Sequence, residues 1–139
     1  MATNTLETMT TNSSYVEHVA LRVKDIQWHI RFFYAVLGMQ VREIDGPEDA
    51  PSQYWTVGGL QLISTPDFIA PATVDTGWLA HLGIMVQDLE LALTEAQAWG
   101  VKELPQGRNW LQLPDGLAIE LIQSCADGVA QALAVKSRP

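Results

Sequence analysis

The chain has 139 residues, 47% of them hydrophobic and 17% charged, with a formal net charge of −8. That length and balance fit one globular domain able to bury most of its apolar surface, and no apolar run approaches the ~18 to 20 residues of a membrane span. The acidic balance argues against nucleic acid and acidic membrane surfaces as partners, while a single cysteine, Cys125, leaves no internal disulfide and suits a cytoplasmic protein.

Residues 1–14 are polar and Thr-rich, without the basic start and apolar core of a secretory signal, and are expected to form a flexible arm. From Val19 to Val23 aliphatic residues alternate with Ala20 and Arg22, the period of a half-buried strand. Asp25 then caps a predicted helix from Ile26 to Leu37, which Gly38 ends. Its apolar face is read as Ile26, Ile30, Phe33, Tyr34 and Leu37. Met39 to Ile44 reads as a strand, and Gln53–Val57 with Leu60–Ser64 as a hairpin around Gly58-Gly59.

A linker rich in Pro, Thr and Ala, residues 65–77, leads to a second copy of the same plan. His18 and His81 are 63 positions apart, and so are Asp25 and Asp88. In the second copy Leu82, Ile84 and Val86 alternate with Gly83 and Met85. Asp88 caps a helix that Gly100 ends, Val101 to Leu104 is a short strand, and Asn109–Leu113 with Leu117–Gln123 forms a hairpin around Pro114-Asp115-Gly116. The expected architecture is α+β: two βαβββ modules forming a curved, cup-like mixed sheet with the helices outside. Module one spans 15–64 and module two 78–123, within a single domain of 15–123. Residues 124–139 form a tail that is weakly helical at best.

Period two also assigns faces. In each opening strand the aliphatic residues face the helix, which leaves His18 and His81 on the opposite side. The closing strands leave Gln61 and Ile63 beside His18, and Ala118, Glu120 and Ile122 beside His81. Matching Leu62-Ile63 to Leu121-Ile122 puts Gln61 where Glu120 sits. A lone strand histidine is most often structural. Two at repeat-equivalent sites, with a carboxylate and an amide oxygen on the same face, suit one divalent ion such as zinc, nickel, cobalt, manganese or ferrous iron. Arg22 shares the His18 face and can pair with an anionic substrate group; Arg108 is a second candidate. Trp55 and Trp110 lie in equivalent hairpin strands and are expected to line the cup. Trp99 reads as core, and Trp78 as a residue of a dimer seam.

The segments Glu17-His18-Val19-Ala20-Leu21-Arg22-Val23-Lys24-Asp25, Phe32-Phe33-Tyr34-Ala35-Val36-Leu37-Gly38-Met39 and Pro114-Asp115-Gly116-Leu117-Ala118-Ile119-Glu120-Leu121 resemble the vicinal oxygen chelate superfamily. That superfamily includes glyoxalase I, methylmalonyl-CoA epimerase, extradiol dioxygenases, fosfomycin-thiol transferases and bleomycin-binding proteins. The resemblance implies paired βαβββ modules, a metal in the cup, and often a homodimer whose cups are shared between chains. It makes His18, His81 and Glu120 ligands, with Gln61 as the fourth in an order that looks like the epimerase set. It implies bidentate chelation of vicinal oxygens and a glyoxalase I- or epimerase-like proton transfer, with Glu120 as the base and Glu43, Asp45 or Glu48 as alternatives.

Two other readings stay open: an extradiol-type ring-cleaving dioxygenase, and a metal-free binding protein of the bleomycin-resistance type. The chain departs from the family's members in places. It has little room for loops that embrace coenzyme A, no further histidine besides His29, and a single basic residue, Arg108, where a phosphonate-binding transferase would be rich in them.

Overall fold

In a computed structural model that describes residues 12–70 and 77–135, the chain forms two four-stranded sheets and three helices. The first module contains β1 (Val19–Val23), α1 (Ile26–Ala35), β2 (Val41–Asp45), β3 (Gln53–Thr56) and β4 (Leu60–Ser64). The second contains β5 (Leu82–Val86), α2 (Leu89–Gln97), β6 (Lys102–Glu103), β7 (Trp110–Gln112) and β8 (Ala118–Gln123), followed by α3 (Gly128–Leu133). Strand order is β1-β4-β3-β2 in one sheet and β5-β8-β7-β6 in the other, each with its first strand parallel to its last and the rest antiparallel. The fold is therefore the expected α+β pair of βαβββ units, with two open sheets. Most of the expected arm, residues 1–11, and part of the linker, residues 71–76, lie outside the described residues.

Local chemistry sets the helix ends. The Asp25 and Asp88 side chains accept from the backbone N–H groups of Trp28 and Leu91, both at 3.1 Å, and such caps contribute about 1 kcal/mol each. After α1, Gly38 takes φ +69° while its N–H donates to Tyr34 O and that of Met39 to Phe33 O. This paired bonding past a left-handed glycine stops the helix.

The helix-facing sides of the strands form the core. Val23, Leu62, Ile119 and Leu121 are each at most 1% exposed, with Leu60, Ile84, Val86 and Leu111 beside them. The two helices meet through aromatic rings, Trp99 standing edge-on to Trp28 and Phe32 at centroid distances of 5.8 and 5.9 Å. Trp99 is thus a packing residue, as expected.

Two expectations are corrected. Tyr34 is 63% exposed and does not belong to the buried face of α1, which is instead Ile26, His29, Phe32 and Phe33. Tyr34 carries a hydroxyl that water solvates, whereas Phe32 has none and is the better core residue. The tail also holds a defined helix, α3, whose Val129, Ala132 and Leu133 line an apolar cleft of about 340 Å³ with Val19, Leu60 and Leu82. The turn ahead of it is anchored by Gln87 of module two, whose Nε2 donates to Ala126 O at 2.6 Å.

Candidate functional site

Register places the candidate residues. On the first sheet Gln61 of β4 stands between Ala20 of β1 and Trp55 of β3. On the second, Glu120 of β8 stands between Gly83 of β5 and Trp110 of β7. Residues directly opposite across a ladder share a face, so the match of Gln61 to Glu120 and of Trp55 to Trp110 is structural as well as sequential. His18 and His81 immediately precede β1 and β5, two residues ahead of Ala20 and Gly83. Met85, 53% exposed, and Ile122, 37% exposed, lie opposite each other on the second sheet, which shows that its non-helix face is open.

His81 and Glu120 come together there, with His81 Nε2 3.5 Å from Glu120 Oε1. That is long for a hydrogen bond. It matches the roughly 3.0 to 3.5 Å that separates two ligand atoms on one ion with metal–ligand bonds of about 2.1 Å. The Trp110 ring packs edge-on against the His81 imidazole at 4.6 Å between centroids, which restricts how the histidine can turn. Both members of the pair remain reachable, with side-chain exposures of 37% and 28%.

In module one, His18 Nδ1 lies 2.8 Å from Glu17 Oε1, and Glu17 also accepts from Arg42 Nη1 at 3.2 Å. A carboxylate beside one ring nitrogen is the kind of partner that orients a histidine whose other nitrogen binds a metal. Gly59 lets the chain ahead of β4 approach the backbone of Glu17 closely. A Cβ there would stand 3.0 Å from Glu17 O, and its φ of +103° suits only glycine. Gln61 is largely buried, and its Nε2 donates to Gln53 Oε1 at 2.6 Å. Sequence reasoning missed both Glu17 and Gln53. Gln53 had a readable signal, since it lies two residues before Trp55 and therefore on the same strand face.

His18 does not join the His81–Glu120 pair: among the described residues, no three His, Cys, Asp or Glu side chains gather closely enough to hold an ion. Within one chain the candidate residues thus lie on two sheets, His81 beside Glu120 on the second, with His18 and Gln61 on the first. Arg22 is exposed on β1 opposite Ile63, on the His18 and Ala20 face. Arg108 is turned elsewhere. It grips Glu90 of α2 with Nη1–Oε1 at 2.8 Å and Nη2–Oε2 at 2.7 Å, which raises the guanidinium pKa and lowers that of Glu90. Glu43 and Asp45 pair with Trp55 and Gln53 across β2 and β3 and are exposed, as is Glu48 in the following turn. Trp78 is fully exposed.

Comparison with known proteins agrees with this architecture. Residues 15–111 match the sequence profile of the glyoxalase/bleomycin resistance protein/dioxygenase superfamily. No curated protein shows significant similarity to the chain in sequence. Among solved structures, a glyoxalase family protein from Enterococcus faecalis is 21% identical with a TM-score of 0.58, over 77% of this chain and 95% of that one. The trypanothione-dependent glyoxalase I of Leishmania major is 24% identical with a TM-score of 0.58, over 86% and 91%. The fosfomycin resistance protein FosX from Listeria monocytogenes, complexed with Mn(II) and sulfate, is 17% identical with a TM-score of 0.58, over 88% and 99%. At these identities the likeness establishes the fold. Among the described residues no helix is long and apolar enough to cross a membrane.

Proposed function

The chain belongs to the glyoxalase/bleomycin resistance protein/dioxygenase superfamily, and from that premise we propose that it is a divalent-metal-dependent lyase or isomerase of the glyoxalase I or epimerase type, acting on a small substrate with vicinal oxygens. The observation that carries the reading is the His81–Glu120 pair, at 3.5 Å on an open sheet face, repeated in position by His18 and Gln61. Two imidazoles, one carboxylate and one amide oxygen make a donor set for a borderline divalent ion. His81 and Glu120 would hold it from one side, His18 and Gln61 from the other, the two half-sets being supplied by two copies of the chain in a homodimer. When bound, the ion would supply a Lewis acid to a carbonyl oxygen.

The chain's own groups do the rest. Glu120, a reachable carboxylate, is the assigned base that takes a proton from the carbon beside the carbonyl and returns it. Arg22 is the assigned anchor for an anionic substrate group, since it shares the open face. Trp55 and Trp110 flank Gln61 and Glu120 and give flat apolar walls that exclude water.

The test is metal content by elemental analysis of the wild type beside His81→Ala and Glu120→Ala. About one divalent ion per chain, lost in both variants, supports the reading. Its absence from a wild type supplied with metal overturns it. Bound iron would favour assays for oxygen-dependent ring cleavage over hemithioacetals and acyl thioesters. The net charge of −8 and the tryptophan-flanked face favour one rival, a metal-free protein that binds a cationic aromatic molecule, and that same negative result would leave it standing.

A further inference from the structure

We propose that the cleft enclosed by the two modules and α3 is a binding site for an uncharged, apolar small molecule, independently of the metal reading above. The cleft measures about 340 Å³, within the range of small-molecule pockets. Its walls come from three parts of the chain: Val19, Met39 and Leu60 of module one, Leu82 and Met85 of module two, and Leu133 of α3.

The space follows from where the sheets end and where the sequence puts glycine. β1 and β5 are edge strands, each paired on one side alone, with β4 and with β8. Val19 and Leu82, at the starts of these strands, therefore face a gap that neither sheet fills, and Val19 is 41% exposed. Along the walls Gly58, Gly59 and Gly83 carry no side chain to occupy it. On α3, Val129, Ala132 and Leu133 are three and four residues apart and share one helix face. That face lines the cleft without closing it. Leu133 lies by Gly58, 3.7 Å from where a Cβ would stand, yet remains 46% exposed.

The lining selects the occupant. Among the described residues around the cleft none is charged, and Gln40 alone has a polar side chain. An ion would be stripped of water there with no partner to offset the loss. Water itself does poorly, since the space holds about ten molecules at roughly 30 Å³ each and each needs two to four polar partners. Apolar surface that enters releases this water, which is favourable. A peptide helix, about 10–12 Å across with its side chains, would exceed the volume within a single turn. Met39 and Met85 are flexible and polarizable, and adapt to the shape of a small guest. Gly83 pairs with Glu120 across β5 and β8, so one wall of the site is a single strand away from the His81–Glu120 pair.

The experiment titrates the uncharged dye N-phenyl-1-naphthylamine, which fluoresces strongly only in apolar surroundings, into the full chain kept free of metal with EDTA. Thermal melts establish that each variant is folded. Gly83→Leu fills the cleft from module two. A Cβ there meets only Ile122 Cδ1, at the ordinary contact distance of 3.6 Å, and Gly83 is not among the positive-φ glycines, so the backbone accepts a side chain. Leu133→Asp puts a charge on the α3 wall at a half-exposed position. Wild type should bind about one dye per chain, and both variants should bind roughly tenfold or more weakly. Ile69→Ser removes an 88% exposed apolar side chain outside the cleft and should bind as wild type does. A wild type that binds no dye, or equal affinity in wild type, Gly83→Leu and Leu133→Asp, overturns the proposal. So does an equal loss in Ile69→Ser, which would put the dye on the outer surface. Should Gly83→Leu not fold, Leu133→Asp makes the same comparison, and wild-type affinity there is equally fatal. Metal content is measured separately, so this site and the metal reading can fail independently.

Discussion

Gln61 on β4 and Glu120 on β8 hold the same place in two sheets of the same build, each with a small residue beside it on the parallel strand and a tryptophan on the antiparallel one. The histidines repeat the relationship, His18 and His81 standing just ahead of β1 and β5. On the proposed reading His81 and Glu120 alone would be a two-atom grip, whereas protein metal sites ordinarily use three or four side chains. In the proposed dimer a second copy would offer the missing half, since across a two-fold axis whatever one chain lacks the other can present.

That arrangement predicts complementation between two dead variants. His18→Ala spoils module one and His81→Ala spoils module two, so each homodimer should be empty. A mixed dimer would pair the intact module one of the second with the intact module two of the first, regenerating one site of its two. With free exchange of subunits the mixture should recover about one quarter of wild-type metal content. Elemental analysis of the separate and mixed variants reads this out. No recovery, despite exchange shown by differently tagged subunits, would rule out a site shared in this way.

The edge-on contact between Trp110 and His81, 4.6 Å between ring centroids, gives an optical handle on the same site. Ni2+ or Co2+ bound at His81 should quench the Trp110 fluorescence, and Trp110→Phe should lower the quenching to the part that Trp55 supplies while leaving metal content intact. Quenching undiminished in Trp110→Phe would place the ion away from Trp110, nearer another of the five tryptophans.

How much of this was legible follows from which forces are local. The alternation Leu60, Gln61, Leu62 and Ile119, Glu120, Leu121 was enough to put the polar residues on the non-helix face, because a strand has only two faces and the core takes the aliphatic one. Asp25 and Asp88 marked both helix starts for the same kind of reason, a side-chain acceptor for orphan N–H groups. Tyr34 and Phe32 were exchanged because a helix spreads its residues over a continuous circle, and the boundary of the apolar stripe depends on what packs there. The commitment of Arg108 to Glu90 was hidden because it joins a turn to a helix 18 residues away. The separation of the candidate residues onto two sheets was hidden most, since the disposition of two sheets is a long-range property that neither repeat encodes alone.

Asp115, in the turn between β7 and β8, ties the second module to the first. Its Oδ2 accepts from the Lys24 backbone N–H at 2.5 Å and lies 3.9 Å from Nε2 of His29, a fully buried ring whose Nδ1 is 2.7 Å from Asp25 O. Asp115→Ala removes the acceptor of the Lys24 N–H and should cost about 1–3 kcal/mol. The midpoint of urea unfolding should fall with its slope unchanged. Asp115→Asn keeps a carbonyl oxygen and should lose less. Equal losses in the two variants would show that the hydrogen bond is not what matters there.

Tyr54 supplies a prediction about alkaline pH. It is 5% exposed in the core beside Leu62, its partner across the ladder between β3 and β4. Burial raises its phenol pKa above the ordinary value of about 10, and the charge of Tyr34 adds to the shift. A raised folded-state pKa means that the unfolded chain gives up the proton first. The favourable contribution is complete below about pH 10, and it declines as pH rises through the folded-state value, because there the unfolded state binds fewer protons than the native one. Unfolding free energy should therefore drop above about pH 10 more steeply in wild type than in Tyr54→Phe, which cannot ionise. Absorbance at the tyrosinate band should show one of the three tyrosines titrating late, and that late step should be missing in Tyr54→Phe. Parallel pH profiles for the two proteins would mean that the Tyr54 hydroxyl reaches water, and that the first sheet packs less tightly against its helix than the buried Leu62 implies.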